Sequence, residues 1–475
     1  MKKLLALSLV LCLIFTAGAN VASATPEDDL EVLSEVLGLI EERFLGEVDR
    51  DQLIAGALSG ILQSLGDPYS EYFSPEEYEM FMVQVTSEWA GIGVVVQLTE
   101  EGRWQVQSVL PGGPADRAGL LPGDFLLQAD GQPLTELTLL QLQQLLIGAV
   151  NSFVALQIER DGELHDLILQ RALIEQPTLE ATLLPGGIGY VHIGSFGENT
   201  AGELRRALQA LYADGMRALL VDLRDNPGGL LQSVRDVAAE LLPSGTVLRL
   251  IDRDGDQANI TVQGPGLGLP MAALVNRWSA SAAEVLAGAI RDRAQGLLIG
   301  ERTYGKGVVQ DIYELGPAAR YGALKLTTAE FFTPNGTMIQ SVGLVPDITI
   351  SPDVDDLPLL SAEGTLYPGV QGEAVAELQL ALSRLEFYQG EVHGDYDQAT
   401  QEAVIRAQRW HGDPLSDGIC DSWTQMVVND LLVQQALEQA NQQMLEAARS
   451  WLMGEVLVEQ LGLSRWIAAR SVERR

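Results

Sequence analysis

Leu274-Val275-Asn276-Arg277-Trp278-Ser279-Ala280-Ser281-Ala282-Ala283-Glu284 decides the fold class. Ala272–Val275 reads as a buried strand, a short turn follows, and an apolar helix begins near Ala282. The same alternation runs outward from it. Ile188–His192 is strand-like, Thr200–Asp214 helical, Ala218–Leu223 strand-like and Leu230–Leu242 helical. Strands alternating with helices predict an α/β layered domain, here over residues 173–352. A serine at a strand-to-helix junction presents its hydroxyl where helix N–H groups and the helix dipole favour negative charge, as an oxyanion requires. Ser281-Ala282-Ala283-Glu284 equally fits a capping box, in which the serine only caps the helix. On this segment alone both readings stand.

Two further segments bear on the choice. Strand Ala218–Leu223 runs into Arg224-Asp225-Asn226-Pro227-Gly228-Gly229, where glycines after a proline let backbone N–H groups approach a ligand. A plain strand-to-helix turn is the other reading. Gly300-Glu301-Arg302-Thr303-Tyr304-Gly305-Lys306-Gly307-Val308-Val309-Gln310 places a lysine between glycines and ahead of valines, where it could be largely desolvated. Most lysines are solvated surface charges.

Residues 88–172 change character. Strand-like pieces at Ile92–Leu98, Trp104–Val109, Phe125–Ala129, Val154–Arg160 and Leu164–Leu169 surround one helical piece, Leu139–Ile147. Gly91-Ile92-Gly93 precedes the first strand, and Pro114-Ala115-Asp116-Arg117-Ala118-Gly119-Leu120-Leu121-Pro122-Gly123-Asp124 lies between the second and third. The segment resembles a PDZ domain of the circularly permuted bacterial kind. That resemblance implies a Gly91-Ile92-Gly93 turn holding the terminal carboxylate of a peptide that adds as a strand.

Lys306 follows Ser281 by 25 residues, and Gln310 follows Lys306 by four. With Asn226-Pro227-Gly228-Gly229 upstream and the PDZ-like segment before it, the chain from about Leu30 to Ile350 resembles the carboxy-terminal processing peptidases, or tail-specific proteases. The resemblance implies a crotonase-like α/β peptidase core with an inserted PDZ domain. It casts Ser281 as nucleophile, Lys306 as general base and Gln310 as the residue orienting the lysine. Gly228 and Ala282 N–H groups would form the oxyanion hole, with Asp292 in a supporting position. Ala283 stands where relatives usually carry a third serine. A serine hydroxyl needs a base, and lysine serves only if burial lowers its pKa from ~10.4 towards ~7–8, a cost of about 4 kcal/mol. Of the four histidines, only His192 lies inside the peptidase segment, and it reads as a packed strand residue. No metal-ligand spacing occurs, and neither metal nor cofactor is implied.

The ends complete the organisation. Lys2 and Lys3, the apolar run Leu4–Ala17 and Ala22-Ser23-Ala24 read as an export signal over residues 1–24; uncleaved, it would anchor the chain in the membrane. Cys12 follows bulky Leu11, which argues against a lipid anchor. Cys420 alone remains in the mature chain, so no intrachain disulfide can form. Residues 25–87 read as a helical arm for packing or dimerisation. Residues 365–430, with Val370-Gln371-Gly372-Glu373 and Gly394-Asp395-Tyr396-Asp397 ahead of helices, resemble the three-helix peptidoglycan-binding domain of bacterial wall enzymes. Residues 431–475 read as a helical extension with Trp451 and Trp466 on apolar faces.

The chain has 475 residues, enough for about three domains, and 47% are apolar. A net charge of −35 repels a phosphate backbone, so nucleic acid is a poor partner. The expected partners are polypeptides with free C-termini, peptidoglycan and a second copy of the chain. Two rival functions remain at this level. A non-catalytic adaptor would use the PDZ-like and wall-binding segments alone, but it predicts a broken Ser281–Lys306–Gln310 set. A peptidoglycan hydrolase would need a zinc or cysteine–histidine site, which the sequence lacks.

Overall fold

Every residue of strands Ala218–Asp222 and Met271–Val275 is buried. Such strands have no face for water, so the sheet holding them must be covered on both sides. It is. Six strands run in the order Leu179–Leu184, Ile188–Ile193, Ala218–Asp222, Met271–Val275, Leu297–Gly300 and Ile348–Thr349, the first pair antiparallel and the rest parallel. Alternate side chains point to opposite layers. Leu219, Val221, Ala273 and Val275 meet helices Thr200–Ala213, Leu231–Leu241 and Ala282–Ala294. Ala218, Leu220, Ala272, Leu274 and Ile299 face Ala440, Met444, Ala448 and Leu452 of a long helix, Ser422–Gln460. The α/β multidomain class expected from the sequence is the one observed.

The computed structural model describes residues 26–460 except 87, 100, 136, 176, 295, 362, 413 and 414. The expected export signal and Trp466 lie outside the described residues. The chain divides into two compact units, one of residues up to Pro75 with Ile312–Lys325, the other of Glu76–Asp311 with the chain from Leu326 on. In the first, helices Pro26–Arg43 and Arg50–Gln63 fill most of the expected helical arm, and the Asp49 carboxylate caps the second by accepting from Asp51 and Gln52 N–H. A short strand, Glu71–Phe73, interrupts the expected helices and pairs antiparallel with Ala323–Lys325.

The second unit contains the PDZ-like segment, whose ends meet: Glu88–Gly91 pairs with Ala172–Glu175 in a two-stranded ribbon. The inserted sheet comprises Val94–Leu98, Trp104–Val109, Phe125–Ala129, Phe153–Arg160 and Glu163–Gln170 around the core of Val106, Leu126, Leu142, Leu156 and Ile158. Thr138 and Gln141 form a capping box on helix Leu139–Leu146. The buried Asp124 carboxylate accepts from Arg160 Nε at 2.7 Å, Arg160 Nη2 at 2.6 Å and Leu121 N–H at 2.8 Å.

The peptidase segment also holds a hairpin not foreseen from the sequence, Pro243–Asp252 with Gln257–Pro265. Its charged tip, Asp252-Arg253-Asp254-Gly255-Asp256, obscures the strand pattern; Val247, Leu248 and Val262 at its base join the helical layer.

Helices Glu373–Arg384 and Gln398–His411 pack with the start of Ser422–Gln460 around Val375, Leu378, Leu382, Val404 and Leu432. The module repeats one device. Gln379 accepts from His393 and Gly394 N–H and donates to Thr400 Oγ1; Gln408 accepts from Gly418 N–H and donates to Thr424 Oγ1. Asp397 and Asp421 then cap the helices that follow, at Thr400 and Thr424 N–H. Cys420 is buried, and that burial pushes its thiol up to about 12. The expected border at residue 430 falls inside the long helix, which therefore belongs both to this module and to the core beneath the sheet.

Candidate active site

Parallel strands Ala218–Asp222 and Met271–Val275 are neighbours, so the turns after them leave the same edge of the sheet. That edge is where ligands of open α/β sheets bind. The two turns are tied residue to residue. Asp225 N–H donates to Asn276 Oδ1 at 3.0 Å, and Asn276 Nδ2 donates to Asp225 Oδ1 at 2.8 Å. Ala280 N–H donates to the Asn226 carbonyl at 2.9 Å. The buried Ser279 hydroxyl accepts from Asn276 N–H and donates to the Leu223 carbonyl. Ser279 is thus a structural tie.

Gly228 sits directly against the expected nucleophile. A Cβ there would lie 2.9 Å from Ser281 Cβ and 3.1 Å from Ala282 N, with φ at +109°, so only glycine fits. Its N–H donates to Asn226 Oδ1 at 2.8 Å, and Asn226 Nδ2 donates to the Ile193 carbonyl. Gly229 is equally confined: a Cβ would fall 2.3 Å from the Phe196 carbonyl oxygen.

Ser281 has φ +55°, a left-handed conformation that costs a residue with a Cβ about 1–2 kcal/mol. Its N–H donates to Glu284 Oε2 at 2.9 Å, which is half of a capping box. The other half is missing. The Ser281 hydroxyl forms no hydrogen bond to a helix N–H among the described residues, so it caps nothing. Nor does Ala282 N–H meet an acceptor among the described residues.

Glu284 is the residue that sequence reasoning treated only as a cap. It is fully buried in a helix whose other residues from Ala282 to Ile290 are apolar or glycine. Its Oε2 accepts from Ser281 and, at 2.9 Å, from Lys306 N–H. Its Oε1 accepts from Thr303 Oγ1 at 2.5 Å and Gly305 N–H at 2.9 Å. Burial raises its carboxyl above the ordinary 4.5, against the pull of these four hydrogen bonds. One carboxylate thereby fixes the serine turn to the lysine segment. The signal in the sequence was a single charge inside Ala282-Ala283-Glu284-Val285-Leu286-Ala287.

The lysine segment is tied down further. Tyr304 N–H donates to the Ser279 carbonyl, and Ser341 N–H to the Gly305 carbonyl. A Cβ on Gly307 would lie 2.3 Å from Gln340 N, so the flanking glycine permits this approach. Lys306 is half-buried rather than dry. Gln310 Nε2 donates to Thr327 Oγ1 at 3.4 Å. Asp292 lies a helix length from Ser281 in sequence; its Oδ2 accepts from Thr333 Oγ1 at 2.6 Å and Asn335 N–H at 2.9 Å, holding the turn after strand Ala323–Phe332.

Gly91, Ile92 and Gly93 line a cavity of about 570 Å³ between strand Val94–Leu98 and helix Leu139–Leu146. Its other walls are largely apolar, including Val94, Val96, Val109, Leu142, Leu146 and Ile147. The Ile92 and Gly93 carbonyls accept from Ala115 and Leu110 N–H.

Comparison with known proteins identifies the segments of the chain. The model of peptidase family S41 matches residues 187–350, that of the PDZ domain 105–160 and that of a peptidoglycan binding domain 371–426. The N-terminal domain of the activating protease CtpB matches residues 15–77. The carboxy-terminal processing protease CtpB of Bacillus subtilis (strain 168) is 29% identical over 437 residues, 90% of either chain. A photosystem II D1 C-terminal processing protease of known structure is 28% identical with a TM-score of 0.42, over 68% of this chain and 87% of that one. The carboxyl-terminal-processing protease of Synechocystis sp. (strain ATCC 27184 / PCC 6803 / Kazusa) is 34% identical over 331 residues, 68% of this chain and 76% of that relative. The match to the Synechocystis relative over this length, with the S41 and PDZ matches, makes the chain a member of the carboxyl-terminal-processing protease family, a serine peptidase of family S41 with a PDZ domain.

Proposed function

We propose that the protein is an endopeptidase that captures free C-termini in its PDZ groove and cleaves with a Ser281–Lys306 dyad. The observation that carries the reading is the Glu284 carboxylate, whose Oε2 accepts from the N–H groups of both Ser281 and Lys306. Catalysis by a dyad needs two separate chain segments held in one geometry, and a buried carboxylate shared between them supplies that. Lys306 takes the Ser281 proton as Oγ attacks the scissile carbonyl carbon, and returns it to the leaving amine. A water deprotonated by Lys306 then hydrolyses the acyl-enzyme. Gln310 gives its Nε2 to Thr327, which leaves Oε1 to accept from the lysine amine. Ala282 N–H supplies one oxyanion donor. Gly228 supplies the second once its N–H leaves Asn226 Oδ1, in keeping with catalytic hydrogen bonds that tighten only on substrate binding. Asp292 acts at a distance, by holding the turn at Thr333–Asn335.

The apolar cavity beside Gly91-Ile92-Gly93 fits a C-terminal side chain, and the glycine turn its carboxylate. Residues 1–24 direct export, peptidoglycan is the ligand of residues 371–426, and the N-terminal arm serves a homodimer. The substrate reading is tested on the full chain carrying Ser281→Ala. A peptide acid should bind at least tenfold more tightly than the same peptide amidated at its C-terminus, and equal affinities would remove C-terminus recognition. Comparing protein C-termini in cells with active and Ser281→Ala protein would then identify substrates. A non-catalytic adaptor is disfavoured by the match of residues 187–350 to peptidase family S41.

A further inference from the structure

The long helix Ser422–Gln460 begins in the core of the C-terminal module and ends against the central sheet of the peptidase. Two of its residues reach the strand ends that carry the proposed catalytic groups. Met444 packs beside Gly300, where a Cβ would lie 3.3 Å from its Sδ; Gly300 is the last strand residue before the lysine segment. Asn441 Oδ1 accepts from Arg224 Nη1 at 2.7 Å, and its backbone carbonyl lies 3.5 Å from the same nitrogen.

Arg224 is itself held from the other side. Asp222, buried at the end of its strand, accepts from Arg224 N–H at 3.0 Å, from its Nε at 2.9 Å and from Tyr190 Oη at 2.7 Å. Arg224 immediately precedes the turn Asp225-Asn226-Pro227-Gly228, and Gly228 lies against Ser281. A guanidinium gripped by Asp222 alone could still swing out with its turn. Gripped also from the helix, it has one position. The contact is polar, directional and charge-assisted, whereas Ala440, Met444, Ala448 and Leu452 meet the sheet through apolar packing.

The geometry points to Asn441 as a positioning residue for the protease reaction, acting through Arg224 on the Asn226–Gly228 turn. This rests on the assignment of Ser281 as nucleophile and Gly228 as oxyanion donor. It makes the C-terminal helix part of the catalytic domain, with a role beyond tethering the module.

The test uses the full chain and an unstructured polypeptide substrate, comparing Asn441→Leu, Asn441→Asp and Ser281→Ala with the parent. Loss of an oxyanion donor costs about 10²–10³ in kcat, and loosening one through its turn should cost less, about tenfold. Asn441→Leu should therefore lower kcat about tenfold with KM within about twofold and the thermal midpoint within about 2 °C. Asn441→Asp, which keeps an acceptor for Arg224, should recover most of kcat. Parental kcat in Asn441→Leu would overturn the inference. So would equal losses in both variants accompanied by a lowered midpoint, which would mark Asn441 as a stability contact only. Ser281→Ala separates the two levels: if it stays active, the nucleophile assignment falls whatever the Asn441 variants do.

Discussion

Glu284 shows what a single buried residue can decide. Its carboxylate accepts four hydrogen bonds and offers none, so every group around it is a donor. Glu284→Gln replaces one acceptor with an NH2 that must face either Ser281 and Lys306 or Thr303 and Gly305. A displacement of about 1 Å near the chemistry can cost about 10²-fold, so Glu284→Gln should lower kcat by about that factor in steady-state assays. Near-parental kcat would show that the shared carboxylate is dispensable. In the PDZ-like segment Asp124 makes a different prediction. Burial opposes its ionisation, but the hydrogen bonds from Arg160 and Leu121 N–H prevail and hold its carboxyl below the ordinary 3.8. Its ionised form thus contributes stability that is present above pH 3.8 and lost as pH falls through the lower folded value. Asp124→Asn should flatten that acid limb, and Asp124→Ala should cost about 2 kcal/mol in denaturant unfolding at neutral pH by leaving donors unpaired. The proposed dyad was named in the sequence through a family resemblance. The bonds that Glu284, Asn226 and Asn276 make to distant segments were not legible there, because such bonds have no fixed sequence spacing.

At the scale of elements, strands and helices with strong apolar periodicity were read well: Trp104–Val109 and Phe125–Ala129 have the expected bounds. Elements with charged or mixed faces were not, as the hairpin ending at Asp252 and the short strand Glu71–Phe73 show. Both Glu71–Phe73 and Pro243–Asp252 also pair with strand Ala323–Phe332, far along the chain, and local sequence carries no trace of that partner. The glycines around Lys306 are explained only by such long-range approach. Gly307 lies beside Gln340, where a Cβ would come within 2.3 Å of backbone nitrogen. Gly307→Ala should therefore push the lysine segment off its track, lowering kcat at least 10²-fold while the PDZ groove still binds peptide. Binding and turnover measured on the same preparation would check this, and a fully active Gly307→Ala would place the segment's rigidity outside catalysis.

For the molecule as a whole, the long helix changes what a truncation would do. All proposed catalytic residues precede residue 311, so a chain ending at Ile350 would still cleave soluble peptides only if the distal helices were not needed for assembly. The helix seat on the central sheet argues that they are needed. Such a chain would bare Ile188, Leu220, Leu274 and Ile299, each worth about 1.5–3 kcal/mol of burial. It should aggregate or lose cooperative unfolding, as sedimentation and calorimetry would show, whereas a soluble and active fragment would mean that the helix seat is expendable. Wall binding is better tested on the intact protein, by sedimentation with purified peptidoglycan. The dyad can be tested without removing anything. The turnover of an unstructured polypeptide by Ser281→Ala and Lys306→Ala, each checked for an unchanged thermal midpoint and repeated with a chelator, addresses it most directly. The account predicts that both substitutions abolish cleavage and that the chelator has no effect; near-normal turnover by Lys306→Ala would contradict it.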